Sequence, residues 1–220
     1  MTGGRGPDLS HRRLYLCTPD RPDLADFLHD CIAGGVDVVQ LRDKELDAKP
    51  LLARAAVAVA VCRDHGVPFV LNDRPDLALH VGADGVHVGQ DDAPVSLARR
   101  ILGPDAIVGL STHDPADLER AADEEVTYIS AGPVEATPTK PGRAGTGLGY
   151  VTQANERSRV PVFVTGGVTP EKIPALTAAG VRHFVVVRYL TQAPDARRAA
   201  QLLRQAIDRA SSSAPSAAHS

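Results

Sequence analysis

Residues 38–73 read VVQLRDKELDAKPLLARAAVAVAVCRDHGVPFVLND, in which two short apolar runs flank an Ala/Leu/Arg/Asp-rich stretch. The runs beginning at Val38 and Phe69 have the β-branched character of strands. The stretch between them has helical spacing, and its Leu52, Ala55, Ala56 and Val59 are predicted to share one face. The same alternation extends in both directions. Similar runs start at Arg13 (RLYLCT), Gly85 (GVHVG), Ile107 (IVGLST), Thr127 (TYISAGP), Val160 (VPVFVTGG) and His183 (HFVVVRYL), about 24 residues apart on average. Strands separated by helices pair in parallel through right-handed crossovers, and nearly continuous apolar strands are expected when both faces of a sheet are covered. Eight such units in 220 residues predict a single compact (β/α)8 barrel over residues 13–210, with disordered tails at 1–12 and 211–220. An open doubly wound sheet is disfavoured, because the first strand-to-helix turn, CTPDRPDLAD, has no glycine-rich dinucleotide fingerprint.

Composition removes several classes of function. The formal charge is −3, no Lys/Arg block lies beyond the short Arg-containing start, and nothing points to nucleic-acid binding. An anionic ligand must therefore be held by a local cluster of cations. No apolar run approaches the ~20 residues that span a bilayer. The polar start MTGGRGPDLSHRR does not resemble a secretory signal, so a cytoplasmic location is expected. Cys17, Cys31 and Cys62 are odd in number and lack a CxxC spacing, as expected of reduced, buried thiols.

In a barrel of this kind the site lies at the carboxyl ends of the strands. At the second strand, Gln40, Arg42 and Lys44 alternate, and a period of two points all three to one side. An amide followed by two cations suits a ligand with a hydrogen-bonding ring and an anionic group. Asn72 and Asp73 end the third strand, where Asp73 also suits the N-cap of the helix that follows. GADGVHVGQDD brings Asp91 and Asp92 to the mouth from the next loop. Carboxylates from adjacent loops beside a cationic strand end can hold Mg²⁺ against a diphosphate, since that ion keeps waters and takes one or two protein oxygens. Ser111 and Thr112 end the fifth strand, with hydroxyls able to donate to an anion or cap the next helix. The long sixth loop, AGPVEATPTKPGRAGTG, groups Thr137, Thr139 and Lys140 as an anion clamp. Gly166 and Gly167 after the seventh strand would offer backbone N–H groups to a phosphate at a helix start, and Arg188 after Val187 would add charge. His87 and His113 lie near this rim. His87 alternates with Val86 and Val88 and reads as a satisfied barrel-lining imidazole rather than an acid-base catalyst.

Taken in order, VVQLRDK, LNDRPDLAL, GADGVHVGQDD, GLSTHD, GPVEATPTK and TGGV resemble the thiamine-phosphate synthase family of (β/α)8 enzymes, over about Arg13 to Arg209. The resemblance implies a transferase that joins a hydroxymethylpyrimidine diphosphate to a thiazole phosphate, releasing diphosphate. It implies that the pyrimidine diphosphate is held by Gln40, Arg42, Lys44, Asn72, Ser111 and Lys140, and Mg²⁺ by Asp73 and Asp92. It assigns the thiazole phosphate to Thr137, Thr139, Gly167, Val187 and Arg188. The last pair departs from the family pattern, in which serine usually follows the aliphatic residue. Two other readings stand beside this one: among enzymes, a thiazole tautomerase, which has no use for Lys44, Asp73, Asp92 and Lys140 together, and from a different class, a non-catalytic barrel that binds thiamine phosphate. A phosphosugar isomerase would rest on Gly166 and Gly167 alone. Homo-oligomerisation is not legible in the sequence, although barrels often associate through their helices.

Overall fold

The computed structural model describes residues 7–136 and 144–213. Eight strands alternate with helices: β1 (Leu14–Thr18), α1 (Leu24–Ala33), β2 (Val38–Leu41), α2 (Ala48–Asp64), β3 (Phe69–Asn72), α3 (Pro75–Val81), β4 (Gly85–Val88) and α4 (Val95–Leu102) form the first half. The second half holds β5 (Ile107–Thr112), α5 (Pro115–Ala122), β6 (Tyr128–Ala131), α6 (Gly147–Arg157), β7 (Val162–Val164), α7 (Ile173–Ala178), β8 (His183–Val186), α8 (Arg188–Thr191) and α9 (Ala196–Ser213). Each strand pairs in parallel with the next, and β8 returns to β1 with Leu14 opposite Phe184, so the expected (β/α)8 barrel closes. Among the described residues no helix is long and apolar enough to cross a membrane.

The period of two along each strand divides the core in two. Outward residues such as Leu14, Leu16, Val39, Leu41, Val86 and Val88 pack beneath the helices. Inward residues Tyr15, Val38, Val70, Ile107, Tyr128 and Phe163 fill the barrel. The rings of Tyr15, Tyr128 and Phe163 meet edge to face at centroid distances of 5.1–5.8 Å. Gly109 makes room for them: a Cβ there would stand 2.2 Å from Cζ of Tyr128.

Two boundaries and one helix face differ from expectation. Residues 7–12, assigned to a tail, are folded: Leu9 is 2% exposed and closes the lower end of the barrel against the inward cluster. One apolar side chain among polar neighbours carries no periodicity, so the sequence pattern does not reveal it. At the other end α9 runs to Ser213, into the predicted tail, while 214–220 lie outside the described residues. In α2 the buried residues are Leu51, Ala55, Ala58, Val59, Val61 and Cys62, a face rotated from the predicted one, with Leu52 half-buried and Ala56 exposed.

Asp37 ties three elements at the lower rim. The backbone N–H groups of Arg13 and Leu14 donate to its carboxylate at 2.8–3.0 Å, and Nη1 of Arg204 in α9 stands 3.0 Å away. Asp37→Ala would leave these donors unpaired and is expected to cost about 2–4 kcal/mol in a denaturant titration. Burial lifts this carboxyl despite its donors. Asp37→Asn, which keeps an acceptor without the charge, should therefore cost less.

Candidate active site

Inward parity continues up each strand and becomes polar at the carboxyl end. Cys17, Gln40, Asn72, His87, Ser111 and Ser130 line the floor of a cavity of about 700 Å³ at that end. All six are nearly buried, from 4 to 8% exposed. Arg42 and Lys44 line the same cavity although β2 ends at Leu41; the Arg42 N–H still donates to the Thr18 carbonyl of β1 at 2.8 Å, so the alternation persists past the strand end.

Asp73 does not cap α3. The N-cap is Arg74, and Asp73 sits in the left-handed region at φ 61°, uncommon for a residue other than glycine. Its N–H donates to the His87 carbonyl at 2.8 Å, and its Oδ2 stands 3.0 Å from Lys44 Nζ. Asp92 comes from the β4–α4 loop, where its Oδ2 accepts the Gly89 N–H at 2.8 Å. Burial raises the Asp73 pKa, Lys44 opposes this, and the adjacent Asp92 carboxylate raises it further. The two carboxylates therefore face each other across a short gap with an ammonium on one side. Asp91 lines the same cavity from an exposed position.

On the opposite side lie Gly166, Gly167, Val187 and Arg188. The glycines do not open a helix as expected: both have positive φ, and α7 begins only at Ile173. Arg188 is not at a strand end either, because β8 stops at Val186 and Arg188 starts the short α8. Glu135 and Lys172 form a 2.5 Å ion pair over Gly167, and a Cβ on Gly167 would stand 2.8 Å from the Glu135 carboxylate. Thr137, Thr139 and Lys140 lie outside the described residues. The flanks of their loop are tied beside the cavity, with Val134 N–H donating to the Thr165 carbonyl and Thr146 N–H to that of Pro133, both at 2.8 Å.

Of the fifth-strand hydroxyls only Ser111 reaches the cavity. Thr112 points the other way, donating to the Ser130 carbonyl at 3.2 Å, and the α5 cap is Asp114. Both His87 nitrogens are engaged, Nδ1 with Tyr128 Oη and Nε2 with Ser111 Oγ, each at 2.9 Å, as a barrel-lining imidazole requires. His113 lines the cavity with Nδ1 2.5 Å from the Gly132 carbonyl. Sequence reasoning missed Tyr15, Tyr128, Ser130 and the placement of Cys17 at the cavity. Their signal was the strand alternation itself, Tyr15 with Cys17 and Tyr128 with Ser130. Cys31 and Cys62 are buried away from it, and no cysteine forms a disulfide.

No group of three or more metal-ligating side chains occurs among the described residues, so a structural metal site is not indicated there. Two carboxylates do fit Mg²⁺, which can complete its shell from water and substrate phosphate. Charge points the same way. The described cavity lining holds three cations, Arg42, Lys44 and Arg188, against four carboxylates, Glu45, Asp73, Asp91 and Asp92.

A barrel whose strand ends gather cations and paired carboxylates on one side, and a glycine pair with an arginine on the other, is an enzyme architecture for phosphorylated small molecules. Comparison with known proteins makes this specific: the chain belongs to the thiamine monophosphate synthase family, whose model matches residues 14–190. It is similar to the thiamine-phosphate synthases of Thermobifida fusca, 48% identical over 90% of this chain and 94% of the relative, and of Mycobacterium sp. (strain KMS), 44% identical over 92% and 95%. Among solved structures it resembles the thiamine phosphate pyrophosphorylase of Pyrococcus furiosus, at 26% identity and a TM-score of 0.82 over 90% of this chain and 96% of that one. Like these relatives it is a transferase of thiamine biosynthesis.

Proposed function

We propose that the chain catalyses Mg²⁺-dependent coupling of 4-amino-2-methyl-5-(diphosphooxymethyl)pyrimidine with thiazole phosphate, or its 2-carboxy form, to give thiamine phosphate and diphosphate, with carbon dioxide also released when the thiazole carries the carboxylate. The observation that carries this reading is the Lys44–Asp73–Asp92 cluster, which shares one cavity with Arg42, Ser111 and the Gly167–Arg188 side. Displacement begins as the C–O bond to diphosphate breaks and its electron pair leaves with the diphosphate. The electron-rich aminopyrimidine supports the resulting cation, and the thiazole nitrogen then supplies the pair for the new C–N bond. No protein nucleophile is required.

The work of the protein is therefore electrostatic and geometric. Arg42 and Lys44 would neutralise charge growing on the leaving oxygens, with Lys140 added from the sixth loop. Gln40, Asn72 and Ser111 would fix the pyrimidine through hydrogen bonds. Asp73 and Asp92 would hold Mg²⁺, whose chemistry when bound is to neutralise the diphosphate as a Lewis acid. Gly167, Val187 and Arg188, with Thr137 and Thr139, would anchor the thiazole phosphate and aim its nitrogen. Arg188→Ala is expected to raise the KM for thiazole phosphate about tenfold and to leave that for the pyrimidine diphosphate unchanged. An unchanged thiazole-phosphate KM would argue against direct pairing.

The reading is tested by mixing the purified protein with both substrates and Mg²⁺ and assaying thiamine phosphate and diphosphate together. Stoichiometric formation of both supports it. Saturable binding without diphosphate release would mark a binding protein, and thiazole isomerisation without coupling would mark a tautomerase.

A further inference from the structure

We propose that His87 is a positioning residue: it carries its ring proton on Nε2 and thereby turns the Ser111 hydroxyl proton toward the substrate. The proposal rests on Ser111 being a substrate-binding group, as argued above. Its basis is a chain of buried hydrogen bonds that crosses the barrel beneath the cavity. Gln40 Nε2 stands 3.0 Å from Tyr15 Oη, Tyr15 Oη 2.8 Å from Tyr128 Oη, Tyr128 Oη 2.9 Å from His87 Nδ1, and His87 Nε2 2.9 Å from Ser111 Oγ.

An inventory of protons gives this chain one direction. Cys17 Sγ donates to Gln40 Oε1 at 3.0 Å, which orients the amide so that Nε2 faces Tyr15. An amide nitrogen can only donate, so the Tyr15 oxygen accepts. Tyr15 then has one proton to place, and Tyr128 Oη is the other partner its hydroxyl has among the described residues. If Tyr128 donated to Tyr15 instead, the Tyr15 proton would be stranded in a barrel interior where that residue is 2% exposed. Tyr128, having accepted, donates to Nδ1 of His87, which must present a lone pair. The ring proton is thus on Nε2 and goes to Ser111 Oγ. Burial keeps both phenols protonated, so the chain does not lose its donors near neutrality. With one lone pair occupied by His87, Ser111 turns its own proton away from the ring. Ser130 Oγ donates to Ser111 Oγ over 3.4 Å, a long contact that leaves the Ser111 proton to a substrate acceptor in the cavity. Ring stacking of His87 on Tyr128, 23° from coplanar, holds the imidazole in register.

Nitrogen-15 NMR of histidine-labelled, unliganded protein reads the tautomer directly. The expected result for His87 is an unprotonated Nδ1 and a protonated Nε2; the reverse tautomer, or an averaged ring, would overturn the proposal. This measurement requires no turnover, so its failure is distinct from failure of the coupling reaction. Tyr128→Phe keeps the ring and removes the donor. It should abolish the tautomer preference and lower kcat about tenfold, with the KM for thiazole phosphate held within twofold. A Tyr128→Phe enzyme with unaltered kcat would contradict the positioning role. His87→Gln, whose amide nitrogen can still donate to Ser111, should recover part of the rate lost in His87→Leu. Equal rates in the two variants would count against the proposal.

Discussion

Asp92→Ala is expected to lower kcat for thiamine phosphate formation by about 10² to 10³, the loss typical when one preorganised electrostatic contact is removed from a site of developing charge. The carboxylate does two things that alanine cannot. It supplies one of the two hard oxygens proposed for Mg²⁺, and it accepts the Gly89 N–H at 2.8 Å, holding the β4–α4 loop at the rim. Asp92→Asn separates these: an amide oxygen can still accept from Gly89 but brings no charge. If the charge is what matters, Asn and Ala should be similarly slow, and both should need more Mg²⁺ than the parent for half-maximal activity. An Asn enzyme close to the parent rate would assign Asp92 to loop structure.

Lys44→Ala is expected to lower kcat by about 10² and to change how the enzyme responds to pH. The ammonium stands 3.0 Å from Asp73 and pulls its pKa down against burial and the Asp92 charge, which together already raise it. Removing Lys44 lets that pKa rise further. A carboxylate raised in the folded state adds stability below its unfolded value and loses it as pH rises through the folded value. Mg²⁺ binds the ionised form and so works in the opposite sense. The Mg²⁺ concentration for half-maximal activity should therefore climb at higher pH in Lys44→Ala than in the parent as the solution is acidified. Activation curves between about pH 5 and 8 check this. Superimposable curves would show that Lys44 and Asp73 are not electrically coupled in the working enzyme.

The architecture was legible because each strand is buried on both faces, which writes a short apolar run into the sequence at nearly even spacing. The same logic carried up to Gln40 and Ser111, where inward parity turns polar. It failed where a residue's position depends on a neighbour distant in sequence. The left-handed backbone of Asp73 is set by its hydrogen bond to the β4 strand, so local preference read it as a helix cap. The sequence pattern does not single out Tyr15 and Tyr128, because their partnership spans the barrel and leaves no mark on either segment. The glycine pair reads in the sequence as a phosphate-binding helix start, but five residues separate Gly167 from α7. Leu9 shows the converse, a lone apolar residue whose burial is set entirely by the barrel it closes.

Asp73 and Asp92 are proposed to hold a divalent ion together against the departing diphosphate. The most direct test is the rate of diphosphate release with both substrates present, measured in a chelator and then across a Mg²⁺ titration. The rate is expected to collapse in the chelator and to return along a saturable curve as Mg²⁺ is restored. Full activity in the chelator would contradict that role.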